Sequence, residues 1–122
     1  MDDYHRAVFS DNKDEVTEAL FAAISQRDFF LDNAEIEKLA LKFNDDKVSG
    51  WVFAYRVYKY SEDRNTLLKS NINNENPRIR EHVCDIIGDE HIESLRGELI
   101  TLFDDPVNYV SEAAKYNYSE MF

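Results

Sequence analysis

The amino-acid sequence predicts an all-α fold, a stack of helical hairpins, on three observations. Only three glycines and two prolines punctuate the 122 residues. Apolar residues recur at intervals of three and four, the helical period, rather than two. The apolar pattern of the C-terminal half also repeats every 31 residues: Ile79, Val83 and Ile87 correspond to Val110, Ala114 and Tyr118, Leu68 to Leu99, and Ile72 to Phe103, while Val48 and Val52 lie 31 residues before Ile79 and Val83. A fixed period in this range marks stacked units, each unable to bury its apolar face alone.

The elements follow in chain order. "DNKDEVTEALFAAISQ" places Val16, Leu20, Ala23 and Ile24 on one face of a first helix, with Asp11 or Asn12 as its cap. In "LDNAEIEKLALKF", Asp32 followed three residues later by Glu35 forms a capping box, and Ile36, Leu39, Ala40 and Phe43 make the apolar stripe. The third helix, "KVSGWVFAYRVYKY", is apolar on more than one side through Val48, Trp51, Val52, Tyr55 and Val57, which places it centrally. A shorter fourth helix around "DRNTLLKSNI" uses Leu67, Leu68 and Ile72. The fifth opens with Asn76 as cap and Pro77 at the first helical position, where a missing N–H costs nothing, and ends at Gly88. A sixth starts after Asp89 and carries Ile92, Leu95, Leu99, Leu102 and Phe103; a seventh is capped by Asp105, led by Pro106, and buries Val110, Ala113, Ala114 and Tyr118. Short connections make successive helices antiparallel neighbours.

"LITLFDDPVNYVSEAAKY" and "NPRIREHVCDIIGD" resemble HEAT-like repeats of the short, bilin-lyase type, in which an apolar helix runs through an acidic turn and a proline to valine-arginine, small residues, leucine and glycine. The resemblance is strongest over residues 62–118 and weaker over 34–60. It implies a short right-handed α-solenoid of about three HEAT-like hairpins and roughly seven helices, in a single domain over 1–122 with degenerate helices in 1–46 and better-matched repeats in 47–118. It also implies a role for Arg80, whose counterparts are Ser111 and Ser49: a structural clamp to the acidic turn of a neighbouring unit, at Asp45, Asp46, Asp104 or Asp105.

No reacting constellation is legible. His82 and Cys84 are two apart on one helix and point to different sides, whereas paired metal ligands on a helix lie three or four apart. Cys84 sits among apolar residues, His91 in "GDEHIES" reads as a solvated first-turn residue, and the glycines are isolated, so there is neither a nucleophile elbow nor a phosphate loop. The expectation is a non-catalytic protein with no metal and no cofactor. A lone cysteine fits a reducing compartment, the acidic start "MDDYHRAVF" lacks the apolar core of a secretory signal, and no run approaches the ~18 apolar residues of a membrane span, so the expected location is the cytoplasm.

Charge gives the functional reading. Twenty-five acids against fourteen bases give a net charge of −11, which repels nucleic-acid phosphates and favours a basic protein partner. Enzymes similar to the helical-repeat alkylpurine DNA glycosylases need a basic channel that this chain lacks. The acids are zoned: Asp89, Glu90, Glu93, Glu98, Asp104 and Asp105 face one Arg96, and Asp32, Glu35, Glu37, Asp45 and Asp46 face Lys38 and Lys42, whereas residues 62–81 balance four acids with four bases. Sixteen aromatics supply anchors; Tyr55 and Tyr118 are assigned to the core, and Tyr58, Tyr60 and Tyr116 to the interface. A C-terminal repeat crowded with Tyr109, Tyr116, Tyr118 and Phe122 would be covered by a partner or a second copy. In character the chain is similar to the small acidic immunity proteins of contact-dependent growth inhibition systems. That likeness implies an inhibitor occluding a basic nuclease toxin, with a general HEAT-like adaptor as the alternative. The residues expected to bind are Asp89, Glu90, Glu93, Glu98, Asp104, Glu35, Tyr58, Tyr60 and Tyr116.

Overall fold

A computed structural model describes residues 3–121 and is 74% helical, with no strand among the described residues. Eight α-helices follow one another: α1 (Asp3–Ala7), α2 (Lys13–Ser25), α3 (Asn33–Phe43), α4 (Asp46–Lys59), α5 (Arg64–Ser70), α6 (Pro77–Asp89), α7 (Arg96–Thr101) and α8 (Asn108–Glu120). Short 3-10 turns occupy Ser61–Asp63 and Glu93–Leu95. The helix beyond the seven read from sequence is α1, whose five residues are too few to show a period. None of the described helices is long and apolar enough to cross a membrane. The chain divides into two compact units, one within Met1–Ser61 and one within Glu62–Phe122. Phe122 lies outside the described residues.

In the N-terminal unit, α2 packs on α4, with α1 against α2 and α3 against α4. Asn12 is the cap of α2, its side-chain oxygen accepting the Asp14 and Glu15 N–H groups at 2.9 and 3.1 Å. The capping box of α3 is complete, Glu35 N–H donating to Asp32 at 2.8 Å and Asp32 N–H to Glu35 at 2.9 Å. Val16, Leu20, Ile36, Val48, Tyr55 and Val57 are at most 1% exposed and form the core. Burying Tyr55 requires a partner for its hydroxyl, which accepts the Leu31 N–H at 2.9 Å and so satisfies a loop amide that water does not reach. Burial pushes the Tyr55 phenol up to about 12. Helix α1 is held by its polar groups: Tyr4 OH donates to Asp28 at 2.7 Å, His5 Nε2 lies 2.5 Å from the same carboxylate oxygen, and the His5 ring stacks on Phe30 at 3.9 Å.

In the C-terminal unit, α8 packs on α6 and α7 on α8. Helices α6 and α8 keep the 31-residue register at both ends, since 77 and 89 map onto 108 and 120. Two equivalent pairs are equally buried, Val83 with Ala114 and Leu68 with Leu99 all being 0% exposed, whereas Ile79 and Tyr118 are half-buried against fully buried Val110 and Ile87. Asn76 caps α6 through the Arg78 N–H at 2.8 Å, with Pro77 in the first turn.

The sequence reading misplaced three features here. After α6, His91 adopts a left-handed conformation (φ 48), and its N–H and that of Ile92 close back on the Gly88 and Ile87 carbonyls at 3.1 and 3.0 Å. His91 is therefore the reversal residue rather than a first-turn residue, and the next α-helix starts only at Arg96. Asp105 and Pro106 precede α8 instead of starting it, because the Asp105 carboxylate is engaged by Arg80 and by the Val107 N–H. Tyr118, assigned to the core, is half-buried, edge-on to Phe103 at 5.4 Å and under the Arg96 guanidinium at 4.5 Å.

Candidate partner-binding face

Arg80 leaves the first turn of α6 and meets Asp105 in two parallel hydrogen bonds, Nε to Oδ2 at 2.8 Å and Nη2 to Oδ1 at 3.0 Å. Its remaining nitrogen donates to the Asn74 and Glu75 carbonyls at 2.8 and 3.3 Å. Asn74 and Asp105 are themselves 31 residues apart, so one guanidinium ties together equivalent turns of the two hairpins. The side chains are 13% and 5% exposed. The Asp105 hydrogen bond raises the Arg80 pKa against burial; at Asp105, burial works upward but Arg80 and the Val107 N–H hold the carboxyl below its ordinary value. With its donors committed to this turn, Arg80 has an architectural environment rather than one open to a ligand.

The other reactive-looking residues of α6 are quenched by burial. Cys84 is fully buried and its thiol is pushed up to about 12, leaving no thiolate at neutral pH. His82 is pushed down to about 4 by burial and by Arg78, so it is a neutral imidazole. Among the described residues no three His, Cys, Asp or Glu side chains converge to hold a metal ion.

The anticipated interface residues fall in both units. In the N-terminal unit Glu35 belongs to its capping box, the Tyr58 ring lies under the Arg27 guanidinium at 4.6 Å, and Tyr60 OH donates to Asn33. In the C-terminal unit Asp89 is the last residue of α6, Glu90 faces Arg64 at 3.4 Å, Glu93 is exposed in the 3-10 turn, Glu98 is half-buried on α7, and Asp104 is exposed between α7 and α8. Tyr116 is 63% exposed on α8, and the Asp89 charge adds to the rise of its pKa.

The residues that flank Asp89 and Tyr116 on their helices were missed by the sequence reading. Glu81, Asp85 and Asp89 recur every four residues and line one face of α6, and their 31-residue images on α8 are Glu112, Tyr116 and Glu120. Across the α6–α8 seam Asn117 Nδ2 donates to Asp85 Oδ1 at 2.9 Å, and on α8 Glu120 engages the Tyr116 hydroxyl and holds its pKa up. Arg78 closes the row at one end through Glu81 at 3.1 Å; among the described residues no lysine or arginine pairs with Asp85, Asp89 or Glu120. Residues 62–122 hold thirteen acids and six bases, a net −7 of the total −11. The spacing of four in "EHVCDIIGD" was the available signal.

No protein-family model matches the chain, and no curated protein or solved structure shows significant similarity to it.

Proposed function

We propose that this chain is a non-catalytic inhibitor that captures a basic protein, most concretely an immunity protein occluding the active site of a basic nuclease toxin. The observation that carries the reading is the acidic face of α6 and α8, where the Glu120 carboxylate engages an exposed Tyr116 and the Asp89 charge reaches it, with no lysine or arginine pairing with these two acids among the described residues. Such a face attracts the lysines and arginines that hold nucleic-acid phosphates, and the tyrosine supplies contact area with a polar tip at its centre. Glu93, Glu98 and Asp104 extend the field and speed the encounter. The exact register of α6 with α8, and the Arg80–Asp105 tie between their leading turns, support the HEAT-like, right-handed solenoid reading of the hairpins.

The test is capture on the immobilised full chain from a lysate of the source organism, with an Asp89→Lys/Glu120→Lys chain as control. The reading expects a basic nuclease that is retained at low salt, released by salt, inhibited by the wild-type chain and not by the variant. Equal capture by both chains, or capture of proteins with no basic excess and no nuclease activity, overturns it.

A further inference from the structure

Asp85 sits in the middle of the acidic row of α6. One carboxylate oxygen accepts a hydrogen bond from Asn117 Nδ2, and that amide nitrogen also donates to the Ala113 carbonyl at 2.8 Å. Asn117 is 4% exposed, a neutral donor wedged at the seam. The charged groups that act on Asp85 are the acids Glu81 and Asp89 of its own helix, and across the seam it meets the neutral amide of Asn117. Of the cations on these helices, Arg78 pairs with Glu81 and lies over the Tyr109 ring, and Arg96 of α7 lies over the Tyr118 ring.

We propose that Asp85 is a proton-binding switch in the α6–α8 seam, neutral and favouring the folded state under acidic conditions, charged and disfavouring it from neutral pH upward. Three features of the geometry act together. A carboxylate withdrawn from water is disfavoured in its charged form, flanking carboxylates disfavour it further, and a single amide donor compensates only part of the cost. The carboxyl is accordingly pushed up to about 6, by burial first and then by Glu81 and Asp89, against the Asn117 hydrogen bond. Because this folded-state value lies above the ordinary one of 3.8, ionisation weakens the folded state as pH rises through about 6, and protonation restores it as pH falls. The same titration changes the charge of the α6 row, so proton binding also sets the field that α6 and α8 present. The switch belongs to the free chain and does not depend on the identity of any partner.

The test pairs two measurements on the full chain. Carboxyl-detected NMR, with Asp85 assigned by comparison with Asp85→Asn, is expected to give a midpoint near 6; a midpoint at the ordinary value of 3.8 overturns the proposal. Urea unfolding of wild type and Asp85→Asn between pH 4 and 8 gives the second reading. His82, present in both chains, cancels in the difference. The folded-to-unfolded ratio of Asp85→Asn relative to wild type is expected to rise by roughly a hundredfold from the acid to the alkaline end, two pKa units at about tenfold each. A relative stability that stays constant across that range overturns it equally.

Discussion

Gly88→Ala tests the α6–α8 seam most directly, because two well-characterised effects oppose each other there. Alanine in place of a helical glycine is ordinarily favourable by about 1 kcal/mol. At Gly88, however, a Cβ atom would lie 2.0 Å from Asn117 Oδ1, 2.5 Å from its Cγ and 2.7 Å from its Cβ. Asn117 has no room to yield, being 4% exposed and bonded to both Asp85 and the Ala113 carbonyl. Overpacking of this kind costs about 1–3 kcal/mol, and expelling the amide sacrifices a hydrogen bond to a charged group worth about 1.5–3 kcal/mol. Against the propensity gain, the net expected loss is about 1.5–5 kcal/mol.

The assay is a double-mutant cycle by urea unfolding at pH 7, using Gly88→Ala, Asn117→Ala and the pair. In the Asn117→Ala background the obstacle is gone, so Gly88→Ala should be neutral or stabilising, leaving a coupling of about 3 kcal/mol at the upper end for residues in contact. Gly97→Ala is the control, since a Cβ there meets nothing within 4 Å, and it should stabilise α7 by up to about 1 kcal/mol. A stabilised Gly88→Ala, or zero coupling with Asn117, would refute the close packing on which the seam argument rests.

Three further outcomes follow from the geometry. Arg80→Met leaves the Asp105 carboxylate, 5% exposed, without its cation and should cost about 3–5 kcal/mol in chemical denaturation, with Arg80→Lys recovering only part because ammonium cannot form the paired bonds. Tyr55→Phe strands the buried Leu31 N–H and should cost about 1–3 kcal/mol, read as a lowered unfolding midpoint; an unchanged midpoint would mean that water reaches that amide. His82, held down to about 4 in the folded chain against 6.5 unfolded, keeps its contribution above pH 6.5 and loses it as pH falls toward 4, by at most about 1.4 kcal/mol per pH unit; His82→Leu should remove that component of acid destabilisation.

Local signals predicted local structure well, and the failures have physical causes. Asn12, Asp32 with Glu35, and Asn76 with Pro77 could be read as caps because each acts on amides within three residues of itself. The 31-residue register was legible because its central positions, Val83 with Ala114 and Leu68 with Leu99, are equally buried. Asp105 followed by proline looks like a helix start, yet its carboxylate is claimed by Arg80, twenty-five residues away in sequence, and a competition of that range is invisible to a window of neighbours. His91 was misread because αL reversals usually advertise themselves with glycine, and here a histidine adopts one. The acidic face was missed for a different reason. Glu81, Asp85 and Asp89 were counted as charge without their common spacing, and only the packing of α8 reveals that Asp85 is withdrawn into the seam while Asp89 remains at its edge.

The location of Asp85 separates two explanations for the acidic composition. If solubility alone were served, carboxylates would suffice at exposed sites, where Glu75, Glu93 and Asp104 already stand. Like charges four apart on a helix are destabilising by about 0.2–0.5 kcal/mol per pair, and withdrawing one from water adds a larger cost. An apolar or amide side chain at position 85 would avoid that cost while leaving the buried Val83, Ile86, Ile87 and Ala114 in place. A row that lowers the stability of its own helix pair has the pattern of local cost that proteins concentrate at working surfaces. The consequence is an opposition between stability and capture: Asp85→Asn should strengthen the fold at pH 7 and weaken retention of a basic partner. A substitution that strengthened the fold and left retention unchanged would return the row to the category of solubilising charge.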